Sequence, residues 1–328
     1  MTDRVAHPLG PVTGASLREV FGATLAAIAA EDDRILVLDA DVGNSTRADI
    51  VEGKCPRAYL AMGIAEQNMM GVAAGLAAVG FVPFATTFAV FAAKRALDQI
   101  RILIAQPSLS VKIAVGYTGL LTGMTGKTHQ VVEDVAIMRA MPHMVVVDPT
   151  DEVEMRQAVR ASVDYDGPVY LRVYRERTRA VFDDTYRFQI GVAPLLRPGR
   201  DVALISTGPQ TGRVLGAAEI LAEHGVEAAV LHVPTVKPLD ELAILGVAEA
   251  SGLVVTVEEQ SVIGGLGGAV AEVLSEKCPT RVFRLGLRDV FGESGPDDAL
   301  LEKYGLTPGR VAEQVLGILE VCGREPER

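Results

Sequence analysis

The 328-residue sequence has no tryptophan, and aromatic residues of all kinds make up 5% of it. So few large rings disfavour a sandwich or barrel built on bulky side chains and favour tightly packed α/β layers. Cysteine is nearly as scarce. Cys55, Cys278 and Cys322 are far apart and odd in number, which fits neither a disulfide framework nor a CxxC zinc site. A reducing, cytoplasmic setting is the expectation. Basic charge is also in deficit, 31 Lys and Arg against 42 Asp and Glu for a net charge of −11, so a phosphate-tracking nucleic-acid binder is disfavoured. A small basic pocket inside an acidic shell stays compatible with that balance. The opening residues MTDRVAHPLG carry no apolar core of a secretory signal. Walker A, HExxH, GxSxG and Cys/His metal clusters are missing, so the chain shows no self-contained cofactor motif.

What the sequence does have is glycine, 33 residues, and 49% hydrophobic content, ordinary for a globular chain whose length suggests two domains. Residues 67–93 carry no formal charge, and length alone would allow a membrane span. Gly80, Pro83 and the Thr86–Thr87 pair divide that stretch into an Ala/Gly-rich helix, a turn and a β-rich run, so no membrane segment is expected. Short apolar runs at 35–41, 81–87, 111–117, 144–149 and 168–174 alternate with helical patterns near 15–31, 66–79, 91–105, 131–140 and 151–163. Asp151 and Glu152 open the last of these, where negative charge suits a helix N-terminus. A charged, Gly- and Pro-containing stretch over 176–201 reads as a linker. The alternation then restarts with strands at 201–207, 227–233, 253–259 and 281–287, and helices near 210–224, 264–277 and 308–321. The expected fold is α/β, two parallel or mostly parallel sheet domains with helices on both faces, divided as 14–190 and 191–328. Only the tail GREPER reads as disordered.

Four features carry candidate chemistry. Glu66 heads an apolar helix and precedes the uncharged stretch, so partial desolvation is expected to raise its pKa; the plain alternative is a first-turn acid complementing the helix dipole. His129, in GMTGKTHQVVED, follows a glycine loop, with Thr128 as a possible helix cap; it suits proton transfer beside an anion, or is a surface or structural histidine. Arg172, Arg175, Arg177 and Arg179 alternate at a strand end, and Arg18 opens a helix after Ser16. Such forks suit phosphate oxygens, and a solvated linker face explains the strand-end set equally well. The string IGGLGGAV at 263–270 lacks the GxGxxG spacing and reads as close helix–strand packing.

The strings GIAEQNMMGVAAGLAAVGFVPFATTFAVFAAKRALDQIR, GKTHQVVEDVAIMRAMP and PVYLRVYR together resemble the pyrimidine-binding domain of transketolases, and the resemblance runs on through the second domain, over about residues 14–320. The chain looks like the C-terminal subunit of a split transketolase. The resemblance implies thiamine diphosphate as cofactor, with Glu66 bonded to N1′ of its aminopyrimidine, Phe88 and Phe91 packed on that ring, and Asp41 nearby. It also implies His129 near the reacting carbonyl, as catalytic and substrate-binding residue, and Arg18, Ser45 and Arg175 at substrate phosphate positions. Lys94 falls where a third aromatic often lies. Tyr117 stands where a substrate-contacting histidine is common, Lys127 adds a charge, and Gly123-Met124-Thr125-Gly126 replaces the usual GEDG, so a modified ketose or a different acceptor becomes an expectation.

The family's GDG diphosphate motif is missing here. The resemblance therefore implies that an N-terminal partner subunit holds the diphosphate and its Mg2+ or other divalent ion, in a heterotetramer acting on sugars. Two alternatives stand beside ketol transfer: the β subunit of a 2-oxoacid dehydrogenase E1 component, and a non-catalytic paralogue.

Overall fold

The computed structural model describes residues 14–324. The N-terminal stretch MTDRVAHPLG and most of the GREPER tail lie outside them. Twelve strands occur among the described residues: β1 Ile35–Asp39, β2 Tyr59–Ala61, β3 Val82–Phe88, β4 Lys112–Gly116, β5 Val145–Val147, β6 Val169–Val173, β7 Leu195–Arg197, β8 Val202–Ser206, β9 Ala228–His232, β10 Thr235–Lys237, β11 Leu253–Ser261 and β12 Arg281–Leu287. They form two sheets, ordered β10-β5-β6-β4-β3-β1-β2 and β12-β11-β8-β9-β7. Every pairing is parallel except β10 on β5 and β7 on β9, each at a sheet edge. Helices cover both faces, as expected of strands that read as continuous apolar runs. Every residue of β3, β4, β6, β8 and β9 is buried.

The longer strands and helices fall where the apolar periodicity places them. Asp151 caps the Glu152–Asp164 helix, accepting from Glu154 N at 3.0 Å. Its other oxygen accepts from Val181 N and Phe182 N, both at 2.7 Å, and so pins the segment that leads away from β6. That segment was read as linker, yet it contains β7. Strand β10 likewise returns from the second half of the chain to the edge of the first sheet, tied there by Lys237 Nζ donating to the carbonyls of Arg139 and Met141. Three-residue strands such as these carry too little pattern to show in sequence. The helical stretch at 91–105 is mostly wide-turned: Phe91–Arg95 and Ile100–Ala105 are π-helical, closed by Ala96 N to Phe91 O and Gln106 N to Arg101 O. Among the described residues no helix is long and apolar enough to cross a membrane, and all three cysteines are free.

Arg172, grouped above with residues that bind phosphate or face solvent, does neither. It is fully buried in β6, with Nε on Asp134 at 3.1 Å and Nη1 on Asp148 at 2.9 Å and on Tyr174 Oη at 2.6 Å. A strand position inside a sheet covered on both faces has no solvated side, so its charge must be met by other buried groups.

The glycine string fulfils its packing role in a specific way. Glu258, buried in β11, accepts from Leu266 N and Gly267 N at 2.8 Å each and thereby caps the Leu266–Lys277 helix. Burial pushes this carboxyl up to about 7 despite those bonds. A Cβ on Gly265 would lie 2.1 Å from Glu258 Oε2, whereas one on Gly268 would meet nothing within 4 Å.

Two stability predictions follow from these contacts. Arg172→Met leaves Asp134 and Asp148 buried without a counter-ion and should cost about 3–5 kcal/mol in urea unfolding; a loss below about 1 kcal/mol would show that the pair is not structural. Gly265→Ala should destabilise by about 1–3 kcal/mol through overpacking, while Gly268→Ala should be neutral or stabilising by up to about 1 kcal/mol. Equal effects at the two positions would remove the capping argument.

Candidate active site

The carboxyl ends of parallel strands converge on one place, the usual position for a site in an open α/β sheet. Strand β3 ends in Phe88, β4 leads into Tyr117, and β6 leads through Tyr174 to Arg175. Four rings gather there. Phe88 and Tyr117 have centroids 4.1 Å apart, Phe88 and Phe91 lie stacked at 5.8 Å, and the His129 ring stands edge-on to both phenylalanines at 5.7 and 5.9 Å. Tyr117 holds φ +60°, a conformation uncommon for a bulky residue. It turns the chain sharply off β4 into the loop that returns with His129.

Glu66 begins its helix with 1% of its surface exposed. Arg95 Nη1 donates to both of its oxygens, at 2.8 and 2.9 Å, while the Arg95 guanidinium lies 4.5 Å over the Phe91 ring. This counter-ion was not among the sequence candidates. The two residues are 29 apart, so the pairing exists only once the wide turn after β3 is in place. The carboxylate is therefore neither an isolated desolvated acid nor merely a dipole partner. The acid, its guanidinium and the ring cluster form one continuous unit.

The basic candidates assemble beside it. Arg175 Nη1 donates to Tyr117 Oη at 2.9 Å, and Arg18 Nη1 donates to the Ser45 carbonyl at 3.0 Å. Burial, with Arg175 next, lowers the Arg18 pKa, so the two guanidinium groups are near enough to repel. Neither forms an ion pair among the described residues. Two cations held together in this way suit a shared oxyanion.

Other candidates are placed differently. Asp41 is exposed in a positive-φ turn. The carboxylate buried at that strand end is Asp39, bonded to Tyr59 Oη, Thr86 Oγ1 and the Val42 and Gly43 N–H groups, its pKa raised by burial against those bonds. Thr128 does not cap a helix: residues 127–129 form a turn on Gly126, Thr128 Oγ1 lies 2.9 Å from His129 Nδ1, and the next helix starts at Asp134. Gln130 holds the chain away from helix there by donating to the Leu120 and Glu293 carbonyls. Lys127 is exposed, its charge acting on Glu293, and Lys94 pairs with Glu133 at 2.7 Å. In the GMTG loop a Cβ on Gly123 would lie 2.3 Å from the Gly295 carbonyl, and Gly123 N donates to Asp297 at 2.7 Å. Glycine is required there by close packing against the second sheet's helices, while Met124 points out at 77% exposure.

The fit to an aminopyrimidine rests on this geometry: a buried carboxylate at a helix start, beside a shelf of two stacked phenylalanines. Among the described residues no group of three or more His, Cys, Asp or Glu is arranged to hold a metal ion.

Comparison with known proteins agrees with the geometry. Residues 13–180 match the transketolase pyrimidine-binding domain and residues 191–311 the transketolase C-terminal domain. A putative transketolase C-terminal section from Methanocaldococcus jannaschii is 41% identical over 303 residues, covering 92% of this chain and 95% of that one. A 6-deoxy-6-sulfo-D-fructose transketolase subunit from a Clostridium species is 42% identical, covering 93% and 94%. A solved structure described as a split-gene transketolase, an inactive β4 tetramer, superposes with a TM-score of 0.87 at 45% identity, covering 94% of this chain and 99% of that one. Both domains are matched in order by relatives of the same length, and the chain belongs to the transketolase family, as the C-terminal section of a split enzyme.

Proposed function

We propose that this chain is the pyrimidine-holding subunit of a two-subunit, thiamine diphosphate-dependent transketolase, moving a two-carbon ketol unit from a ketose to an aldose in the cytoplasm. The observation that carries the reading is Glu66, buried at its helix start and joined through Arg95 to the ring cluster of Phe88, Phe91 and His129. Thiamine diphosphate, when bound, supplies a nucleophilic carbon and an electron sink. Glu66 holds a proton at N1′ of the pyrimidine, and Phe88 and Phe91 fix the plane of that ring. For Glu66 to do so, Arg95 gives up at least one of the two oxygens it now occupies. Arg95 is half exposed and can swing away without crossing the core.

His129 stands edge-on to both phenylalanines and meets negative charge that develops on the substrate oxygen. Arg18 and Arg175 hold the anionic end of the sugar, phosphate or sulfonate, with the Ser45 carbonyl and Tyr117 hydroxyl fixing their positions. Asp41 and Lys127, both exposed, are assigned to the rim of the site. The diphosphate and its Mg2+, or another divalent ion, fall to an N-terminal partner subunit in a heterotetramer. The sequence carries no GDG motif, and the relative from Methanocaldococcus jannaschii is named as a C-terminal section.

The reading is tested with the chain reconstituted with that partner. Glu66→Gln and Glu66→Ala should each lower kcat at least about 100-fold, with the far-ultraviolet circular dichroism of the chain unchanged. Undiminished turnover in both would remove Glu66 from the chemistry, absence of turnover in the unaltered pair would favour a non-catalytic paralogue, and release of CO2 from a 2-oxoacid without any aldose acceptor would favour an E1 component. Arg175→Ala should raise KM for a 6-phospho- or 6-sulfo-ketose about 10–100-fold and leave KM for an uncharged ketose unchanged. Equal effects on both donors would remove Arg175 from the anion site.

A further inference from the structure

A second basic site lies beyond the ring cluster. A cleft of about 360 Å³ opens between the segment that follows β6 and the helices of the second sheet. That segment contributes Arg177 and Arg179, and the first turn of the Gln210–Glu223 helix contributes Arg213. Thr307 and Pro308, at the start of the Pro308–Val321 helix, close another wall. Two fourteen-residue helices therefore begin at the cleft, each bringing the positive end of its dipole.

The arginines at this cleft feel nearby acids, Asp297 and Asp298 acting on Arg213, but are not paired off. None of the three arginines makes an ion pair among the described residues, whereas Arg34, Arg95, Arg139, Arg172 and Arg310 are all paired. Arg213 makes only a long hydrogen bond, 3.3 Å to Gln210 Oε1, and burial lowers its pKa. Two acids also line the cleft, Glu176 and Asp298. The Glu176 carboxyl is pushed up to about 7 by burial and by neighbouring Asp297, so near neutral pH it offsets little of the arginine charge and can donate a hydrogen bond. Three guanidinium groups without an ion pair among the described residues, gathered at two helix starts, suit a multiply charged oxyanion. The volume lies at the low end of small-molecule sites.

We propose that this cleft binds a phosphate group, free or carried by a small metabolite, at a site whose residues are separate from Glu66, Phe88, Phe91 and His129. Because Arg177 and Arg179 come from the end of the first sheet and Arg213 from a helix of the second, the ligand would bridge the two sheets and stabilise their packing. Calorimetric titration of the full chain with inorganic phosphate, pyrophosphate and glucose 6-phosphate, at ionic strength held constant with chloride, tests it. Saturable binding is expected, weakened at least about tenfold in Arg213→Gln and in the Arg177→Ala/Arg179→Ala double variant. The double variant alters only exposed side chains, so a folding defect at Arg213 would not hide the result. An ester that binds tighter than inorganic phosphate assigns the site to a metabolite, equal binding assigns it to the free ion, and either supports the site. Binding that survives in both sets of variants, that is lost only in Arg175→Ala, or that never saturates overturns the proposal.

Discussion

One guanidinium sits where the two sheets meet, and the site depends on it. Arg172 is shared between Asp134 and Asp148, all three fully buried. Burial alone would strip the charge from each, raising Asp134 and lowering Arg172; the two carboxylates outweigh that effect and hold Arg172 well above its ordinary value. A third acid, Glu259, lies in the same region, and burial pushes it up to about 8 against the pull of Arg172 and Arg213. Near neutral pH Glu259 is thus mostly uncharged and adds little to the negative charge that Arg172 meets. Such a cluster contributes less to net stability than to uniqueness, because a chain that misplaces any member buries an unmatched charge.

The cluster's partners explain why it reaches the site. Asp148 also accepts from Thr207 Oγ1, and its carbonyl accepts from Gly208 N, both at the end of β8 in the second sheet. Asp134 begins the helix that follows the His129 turn and is held by Tyr170 Oη as well as by Arg172. Arg172 itself lies three residues before Arg175. A second buried chain runs in parallel: Tyr186 Oη and His232 Nε2 both meet Glu154, at 2.7 and 2.8 Å, and His232 Nδ1 meets Thr211 Oγ1 at 2.7 Å. It fastens the Glu152–Asp164 helix to β9 and to the helix that carries Arg213. Two polar ties through an apolar core therefore fix His129, Arg175 and Arg213 relative to one another, although they come from distant parts of the chain.

This explains which features were legible in sequence. Long strands and helices were, since their periodicity reports burial along a single element. Glu66 is conspicuous as the one acid at the head of an uncharged stretch, whereas Phe88 and Phe91 are marked only by the family resemblance. Arg172 reads as a phosphate or solvent-facing arginine and Arg95 carries no mark for the opposite reason: each stands near other basic residues, and its partners are 24 to 38 positions away, or 29 for Arg95. Asp39 and Asp41 show the same limit. Asp39 closes β1 and Asp41 follows two residues later, and only the positive-φ turn at Asp41 decides which one faces solvent. The wide turn at Phe91–Arg95 has no sequence mark either, yet it sets Arg95 over Phe91 and within reach of Glu66.

The pairing of Glu66 with Arg95 has a physical meaning for a chain proposed to hold half a site. A buried carboxylate without a partner would cost several kcal/mol, so an isolated subunit needs a counter-ion for it before any cofactor arrives. Arg95 is suited to the task because it is only half buried, and leaving Glu66 returns it to water at small cost. The neighbouring surface is consistent with this: Ile64, two residues before Glu66, is 71% exposed. An apolar side chain of that kind beside a buried carboxylate is unfavourable in water and favourable under a covering protein surface. In the proposed assembly, the step that covers Ile64 is also the step at which Glu66 exchanges Arg95 for the pyrimidine ring. Assembly and cofactor binding then draw on one change of partner, and neither is complete without the other.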